Sequence, residues 1–439
     1  MPLDEIAASL YPWDLHDEGT DHALDVLTSR AEINSAYLVA LPHKEKRPLF
    51  PRFYPHNPVR RFHLVEDSRV FWKPTASHYG RITPQTTEQD FLRGTDWLQT
   101  LIDGARSRGM RTGVEISHTV IDAQLAREKF PDVLQRDIFG NTVGGQEAVE
   151  AQRALACTNH PDVRAYLVGL FSDLATNYDV DYVQTCLLLF DPGDNYRDMY
   201  GPKNTWQRLL SVATGGCFCA ACESKARAEG LDWNAIVSEL THLAKLSRYE
   251  GLAEYHERLL LDEANYSESS LLIEYDAFTA WLQFRKRSIT ELFADLKAAL
   301  NASGRYVDFR YNTSTAYPER SGLDYKSAFA HVDSVRESDY SEQQNTPEAA
   351  GLKRSRLMKV RRALREDQKL IAGLGIRPNA TPESIRRGIK AAVDCGSDGL
   401  SLGHYDGATM ERLDAVRHGA REWEGRQRDW QPLDNGADR

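Results

Sequence analysis

Four cysteines of this 439-residue chain are spaced as the ligands of one metal ion. Cys217, Cys219 and Cys222 form a C-x-C-x-x-C cluster, which brings three thiolates within reach of the same ion. Cys157 opens the stretch Cys-Thr-Asn-His-Pro and is the natural fourth ligand. Zinc takes four such ligands in a closed tetrahedral site, and four thiolates leave no position open for water. The spacing therefore predicts a structural Zn²⁺, with unliganded buried thiols as the alternative.

Carboxyl groups that end or interrupt apolar runs are the second set of candidates. Glu337 ends such a run in Val-Arg-Glu-Ser-Asp-Tyr, and Asp339 alternates with it, so both are expected to face the same side of a strand. Glu115 stands within Val-Glu-Ile-Ser-His, where a buried charge is costly unless it is paired. Asp191 directly follows four apolar residues. We expect Glu337, Glu115 and Asp191 to act as catalytic acid or base groups, with structural salt bridges as the alternative.

Short apolar runs alternate with amphipathic segments and predict an α/β fold. Seven runs have the composition of buried parallel strands: 35–41, 112–118, 181–190, 306–312, 333–337, 370–376 and 398–403. Helical periodicity fills intervals between them, as at 161–176, 273–300 and 382–394. This order predicts a (β/α)₈ TIM barrel, with the eighth strand near 137–156. A doubly wound open sheet is the alternative, although the sequence lacks a Gly-rich nucleotide fingerprint.

Two long insertions interrupt the predicted barrel. Residues 42–90 follow the first predicted strand and residues 191–270 follow the fourth, so both begin at carboxyl ends of strands, where barrel active sites are built. We assign 1–425 to a single catalytic barrel domain and 426–439 to a polar C-terminal tail.

Composition excludes several classes of partner. The net charge of −10 disfavours nucleic acid and anionic membranes. Apolar runs stay well short of the roughly 20 residues needed to span a bilayer, and the start Met-Pro-Leu-Asp-Glu-Ile does not resemble a signal peptide. Six cysteines in so long a chain do not form a disulfide framework, which favours a reducing cytoplasm.

From about Cys157 to Tyr340 the chain resembles the glycoside hydrolase family 42 β-galactosidases and the hypothetical glycosyl hydrolases related to them. The family's Cys-Pro-Asn-x-Pro motif corresponds to residues 157–161, and its zinc cluster corresponds to residues 217–222. The weaker matches follow in order: Leu261-Asp262, a strand ending at Asn312, Asp324-Tyr325, and a strand with Asp333, Val335, Asp339 and Tyr340. The resemblance implies a sugar-active TIM barrel with a structural zinc ion.

The departures from this family lie at its catalytic positions. The family's acid/base stands in an Asp-Asn-Glu run after the fourth strand, where this chain reads Gln-Thr-Cys-Leu-Leu-Leu-Phe-Asp over 184–191. The family's nucleophilic Glu closes the seventh strand, where 370–376 holds no carboxylate. The resemblance therefore implies the scaffold but not β-galactosidase activity.

Several polar and aromatic side chains at predicted strand ends and in the first insertion are suited to binding a sugar. Aromatic faces stack on sugar rings, and His, Asn and Asp hydrogen-bond to hydroxyl groups. The candidates for substrate binding are His43, Trp72, His118, Asn312, Asp339, His404, Tyr405 and Asp406. Ordinary structural roles at the barrel rim are the alternative for each.

The sequence leaves three functions open. The first is a glycoside hydrolase that cleaves a small glycoside or oligosaccharide with paired carboxyl groups. The second is a sugar isomerase or lyase in which Glu115 or His404 abstracts a proton. The third is a sugar-binding barrel without catalysis. A homo-oligomer is compatible with each of them.

Overall fold

Eight parallel strands close into a barrel in the computed structural model, which describes residues 3–42, 54–65, 69–117, 120–122, 126, 128–143, 153–186, 188–190, 215–247, 272–313 and 318–423. The barrel strands are β1 (Glu5–Leu10), β2 (Ser35–Leu41), β3 (Arg111–Ser117), β6 (Tyr182–Cys186), β7 (Asp308–Thr313), β8 (Ser334–Glu337), β9 (Lys369–Gly375) and β10 (Gly399–Gly403). Their order around the barrel is β1-β10-β9-β8-β7-β6-β3-β2. Two short strands, β4 (Val120–Asp122) and β5 (Arg153–Leu155), form a separate antiparallel pair. The predicted (β/α)₈ barrel is confirmed.

The predicted position of the eighth strand is wrong. That strand is β1, near the start of the chain, whereas the 137–156 region contributes only β5 outside the barrel. β1 pairs with both β2 and β10, from Glu5 opposite Gly399 to Ala8 opposite Leu402 on the β10 side. The insertion at 42–90 therefore follows the second barrel strand, while the one at 191–270 does follow the fourth.

Helices surround the barrel and have recognisable ends. Their bounds are Pro12–Glu18, Thr20–Ala31, Trp97–Arg106, Pro161–Asn177, Ala220–Ala228, Trp233–Ser247, Asp276–Asn301, Tyr325–Ala328, Pro347–Arg361, Pro382–Asp394 and Met410–Glu422. Thr381 caps one of them by accepting a hydrogen bond from the backbone of Ser384 at 3.2 Å, with a proline at the first helical position. No helix in these described ranges is both long and apolar enough to cross a membrane.

Strand register decides which side chains point into the barrel. Partners on neighbouring parallel strands share a face, and alternate residues face the helices. The inner face thus carries Glu5, Ala7, Tyr37, Gly113, Glu115, Tyr182, Gln184, Arg310, Asn312, Ser334, Arg336 and Ser401. Gly113 has to lack a side chain, because a Cβ there would lie 2.1 Å from a carbon of the Tyr182 ring. The interior is therefore unusually polar for a barrel, whose inner layers are mostly branched apolar residues.

A charged network closes the amino-terminal end of the barrel. The guanidinium of Arg310 is fully buried and donates to both carboxylate oxygens of Glu5 at 2.9 Å and to Asp308 at 3.1 Å. It also lies 3.9 Å from the centroid of the Tyr182 ring. Burial opposes ionisation of Glu5, but Arg310 and Arg111 outweigh it and lower the Glu5 pKa to about 2.

Candidate functional site

Glu115 is the acidic side chain that the barrel presents to its carboxyl-terminal mouth. It lies on the inner face of β3 and is half-buried, and the side-chain N–H of Gln184 on β6 donates to its Oε2 at 2.5 Å. Burial raises the Glu115 pKa, although Arg336, Gln184 and Arg377 each favour the ionised form. A half-buried carboxyl group with a raised pKa is suited to donating a proton.

Arg336 on β8 links four polar side chains around this mouth. Its Nε donates to Ser401 at 2.7 Å, its Nη1 donates to Asn312 at 2.9 Å and to Ser338 at 2.6 Å, and its Nη2 donates to the Tyr340 hydroxyl at 2.6 Å. All three guanidinium nitrogens are therefore engaged, so Arg336 positions its neighbours. Asn312, predicted to bind substrate, has its side-chain oxygen held by Arg336 and Ser338.

His404 and Tyr11 lie together where strands β10 and β1 end. The Nδ1 atom of His404 lies 2.7 Å from the Ser9 hydroxyl, and its ring centroid lies 5.1 Å from that of Tyr11. The peptide bond that precedes His404 is cis. Burial and the charges of Asp406 and Glu115 all raise the Tyr11 pKa.

Asp14 and Asp406 form a second acidic group beside Tyr11. Asp14 is fully buried, and its Oδ2 accepts the backbone N–H of Tyr11 at 2.8 Å. Its Oδ1 has no hydrogen-bond partner within the described part of the chain. Burial and the nearby Asp406 raise the Asp14 pKa well above its usual range, which favours a protonated carboxyl group. Tyr11 and Asp14 were not predicted from the sequence because β1, the strand that they follow, was not recognised there.

Glu337 occupies the outer face of β8. Arg336, the preceding residue, points inward, and the alternation of a strand turns Glu337 outward. Its partner across the register is Thr313, whose hydroxyl donates to the Glu337 carboxyl group. Burial and the charge of Asp339 raise the Glu337 pKa to about 7. The structure therefore does not bring Glu337 together with Glu115.

Asp339 shares this outer environment with Glu337, as the alternation predicted, but their common side is the one that faces the helices. Its carboxylate accepts from Arg356 at 2.8 Å and lies 3.8 Å from the ammonium group of Lys353. Both cations belong to helix Pro347–Arg361. Asp339 therefore joins the barrel to an outer helix and does not line the mouth.

Other residues predicted to bind substrate or to act in catalysis lie elsewhere. Trp72 is 1% exposed, and its indole N–H donates to Asp173 of an outer helix at 3.2 Å, so it offers no free ring face to a sugar. Tyr405 is fully buried, and its hydroxyl donates to Glu18 at 2.8 Å. Three predicted residues lie outside the described residues: His43, His118 and Asp191.

The four predicted metal ligands do come together. The Sγ atoms of Cys157, Cys217, Cys219 and Cys222 all lie within 4.8 Å of one another, and the first and last are 3.5 Å apart. Four Zn–S bonds of about 2.3 Å give a tetrahedron with edges of about 3.8 Å, which fits this cluster. The donor set is thus suited to a closed, thiolate-bound metal ion.

Neighbouring N–H groups add to the fit of this cysteine cluster. The side-chain N–H of Asn159 donates to the sulfur of Cys222, and the backbone N–H of Arg136 donates to that of Cys217, both at 3.4 Å. Such bonds orient ligands and stabilise thiolate charge. The cluster joins the segment before helix Pro161–Asn177 to the start of helix Ala220–Ala228.

Comparisons with known proteins find similarity in structure but not in sequence. No family model matches the chain, and no curated protein matches it in sequence. The glycoside hydrolase domain of PgaB (BpsB) from Bordetella bronchiseptica is similar with a TM-score of 0.56 and 11% identity, over 95% of this chain and 97% of that chain. The β-galactosidase from Bacillus circulans sp. alkalophilus has a TM-score of 0.52 and 16% identity, over 96% of this chain and 56% of that chain. The β-galactosidase from Rahnella sp. R3 has a TM-score of 0.54 and 12% identity, over 95% and 55%.

The chain thus spans little more than half the length of these two β-galactosidases. At such low identities the likeness shows the fold, which is the barrel that these glycoside hydrolases share.

Proposed function

We propose that the chain is a glycoside hydrolase whose active site is the mouth of the barrel. The observation that carries the proposal is the position of Glu115, which is half-buried on the inner face of β3, accepts a hydrogen bond from Gln184 and has a raised pKa. The second carboxyl group of the proposal is Asp406, which follows β10. Glycosidases need two carboxyl groups flanking one bond. The shared fold with glycoside hydrolases supports this reading. We also propose that residues 1–425 form a single catalytic domain.

The two carboxyl groups differ in the roles that they suit. Glu115 gives its proton to the glycosidic oxygen, because burial favours its protonated form. Asp406 acts as nucleophile or as base for water. Burial and the charge of Asp406 raise the Asp14 pKa, which disfavours a second negative charge near Asp406. Asp191 follows the fourth strand and stays a predicted acid or base.

The relation to glycoside hydrolase family 42 is part of this proposal. The order of the motifs supports it, whereas the proposed catalytic groups stand on different strands from the family's own. We therefore expect a small glycoside or oligosaccharide as substrate, but not β-galactosidase activity.

We further infer that the four cysteines hold one structural Zn²⁺. Four thiolates and no open position suit a cross-link between segments distant in the chain. The N–H groups of Asn159 and Arg136 support the same assignment.

The decisive experiment compares three variants on a panel of synthetic aryl α- and β-glycosides. We expect Glu115→Gln and Asp406→Asn each to lower kcat at least about 100-fold, because each removes an acid or base group. Glu337→Gln is the matched control, since it makes the same change on the outer face of another barrel strand, β8. Its kcat should change less than about threefold. Melting temperatures establish that all three variants are folded.

Other outcomes overturn the proposal. Full activity of Glu115→Gln removes Glu115 from catalysis. Sugar conversion that depends on an added divalent ion and releases no aglycone favours the isomerase or lyase. Binding of sugars without any turnover favours the sugar-binding barrel.

A further inference from the structure

We propose that Gln184 is the positioning residue of the catalytic acid, and that its amide holds the Glu115 carboxyl group through both halves of a proton-transfer cycle. This inference rests on the proposed function. It assigns a role to an inner-face side chain that the sequence analysis did not single out.

The first step is the contact itself. Gln184 is fully buried on β6, directly across the register from Glu115 on β3. Its Nε2 donates to Glu115 Oε2 at 2.5 Å. A hydrogen bond to a charged group is stronger than one between neutral groups, and a fixed partner restricts the orientation of the carboxyl group.

The second step is the unused acceptor of the same amide. Gln184 Oε1 is buried and has no hydrogen-bond partner within the described ranges. A carboxylate only accepts hydrogen bonds, whereas a protonated carboxyl group has one O–H to donate. Rotation of the amide by half a turn would present Oε1 to that O–H. A neutral amide therefore serves both protonation states, which a lysine or arginine in its place would not.

The third step is the charge around Glu115. Arg336 and Arg377 favour its ionised form, while the tyrosines Tyr37 and Tyr11 lie near enough for their own pKa values to respond to it. Arg336 is held by four other side chains. Among the described residues, Gln184 makes the direct side-chain hydrogen bond to Glu115.

The test is a titration of Glu115 in the whole protein, read from ¹³C-carboxyl-labelled glutamate, with the resonance assigned by its absence in Glu115→Gln. Gln184→Met keeps the size of the side chain and removes both hydrogen-bonding groups. The hydrogen bond to the charged carboxylate is stronger than the one to the neutral carboxyl group, so loss of the amide should raise the Glu115 pKa by about 1 unit or more. The alkaline limb of the kcat/KM profile should move up by the same amount, because Glu115 then keeps its proton to higher pH.

Two further variants serve as a control and as a substitute in this test. Thr185→Val changes the next residue of β6, which faces the helices, and should leave the titration unchanged. Gln184→Glu keeps the shape of the side chain if the methionine variant does not fold. It places two carboxyl groups in contact, so Glu115 should then titrate in two steps.

The outcomes separate this inference from the proposed function. An unchanged titration in Gln184→Met, or an equal shift in Thr185→Val, overturns the positioning role even if the protein cleaves glycosides. A shifted titration in a protein that cleaves no glycoside supports the positioning role and removes the proposed function.

Discussion

Arg336 and Glu337 are neighbours in β8, yet their side chains meet opposite environments. Arg336 points into the barrel and binds four polar side chains, whereas Glu337 points toward the helices and accepts from Thr313. Burial on this outer side raises the Glu337 pKa to about 7, so the group changes charge near neutral pH. A single step along a strand thus separates an inward-facing residue from one that faces the helices.

This placement predicts a pH-dependent effect of Glu337→Gln on stability. Folding raises the Glu337 pKa from 4.5 to about 7, so the folded state loses stability as pH rises between these values. The full loss above pH 7 is about 3 kcal/mol, at about 1.4 kcal/mol per pKa unit. Glutamine carries no such charge, so the variant should gain up to this amount of unfolding free energy at about pH 8.

Urea unfolding at about pH 8 and about pH 4 measures the effect. The gain should vanish at the lower pH, where Glu337 is protonated in both states. A gain that is equal at both values would show that the variant acts through packing and not through charge.

At the scale of elements, the sequence allowed the prediction of strands whose outer residues are large and apolar. β1 was not predicted because Glu-Ile-Ala-Ala-Ser-Leu has few large apolar residues. Its inner face carries Glu5, Ala7 and Ser9, which fit a crowded interior. The three clustered cysteines were predictable because they are close in the chain. The inward-facing side of β8 was not predictable, because the partner strands that set its register are distant in sequence.

The cysteine cluster leads to a prediction at this scale. Cys219→Ser removes one of four ligands, so zinc should fall from about one ion per chain to well below it, and the melting temperature should drop. The kcat should change little, because a closed site has no position for substrate. Elemental analysis and thermal unfolding give the two readings.

Cys395→Ser is the matched control, since Cys395 is buried but lies outside the cluster. The Cys395→Ser variant should keep the zinc content of the unaltered protein. Full metal content and unaltered stability in Cys219→Ser would contradict the four-thiolate site.

For the whole molecule, the ion pair between Glu5 and Arg310 joins the first strand to the fifth across the closed end of the barrel. Folding lowers the Glu5 pKa from 4.5 to about 2, so its contribution is present above pH 4.5 and is lost as pH falls toward 2. That contribution is about 3 kcal/mol. Removing one member of a buried pair also leaves the other charge poorly compensated.

Glu5→Gln should therefore lower the free energy of unfolding by about 3–5 kcal/mol at neutral pH. Its stability should also fall less steeply than that of the unaltered protein as the solution is acidified below pH 4.5. Glu383→Gln, in an exposed pair with Arg386, should change stability by less than about 1 kcal/mol. Denaturation curves of the three proteins across this acid range decide the matter, and parallel curves would contradict the assignment.

The pairing of β1 with β10 has a consequence for synthesis on the ribosome. The Ser9 hydroxyl donates to the carbonyl of Leu402, a residue 393 positions later in the chain. β1 is translated first, but one of its two edges stays without a partner until the last strand has left the exit tunnel. The barrel therefore cannot close before β10 is available, so its closure is a late, long-range step.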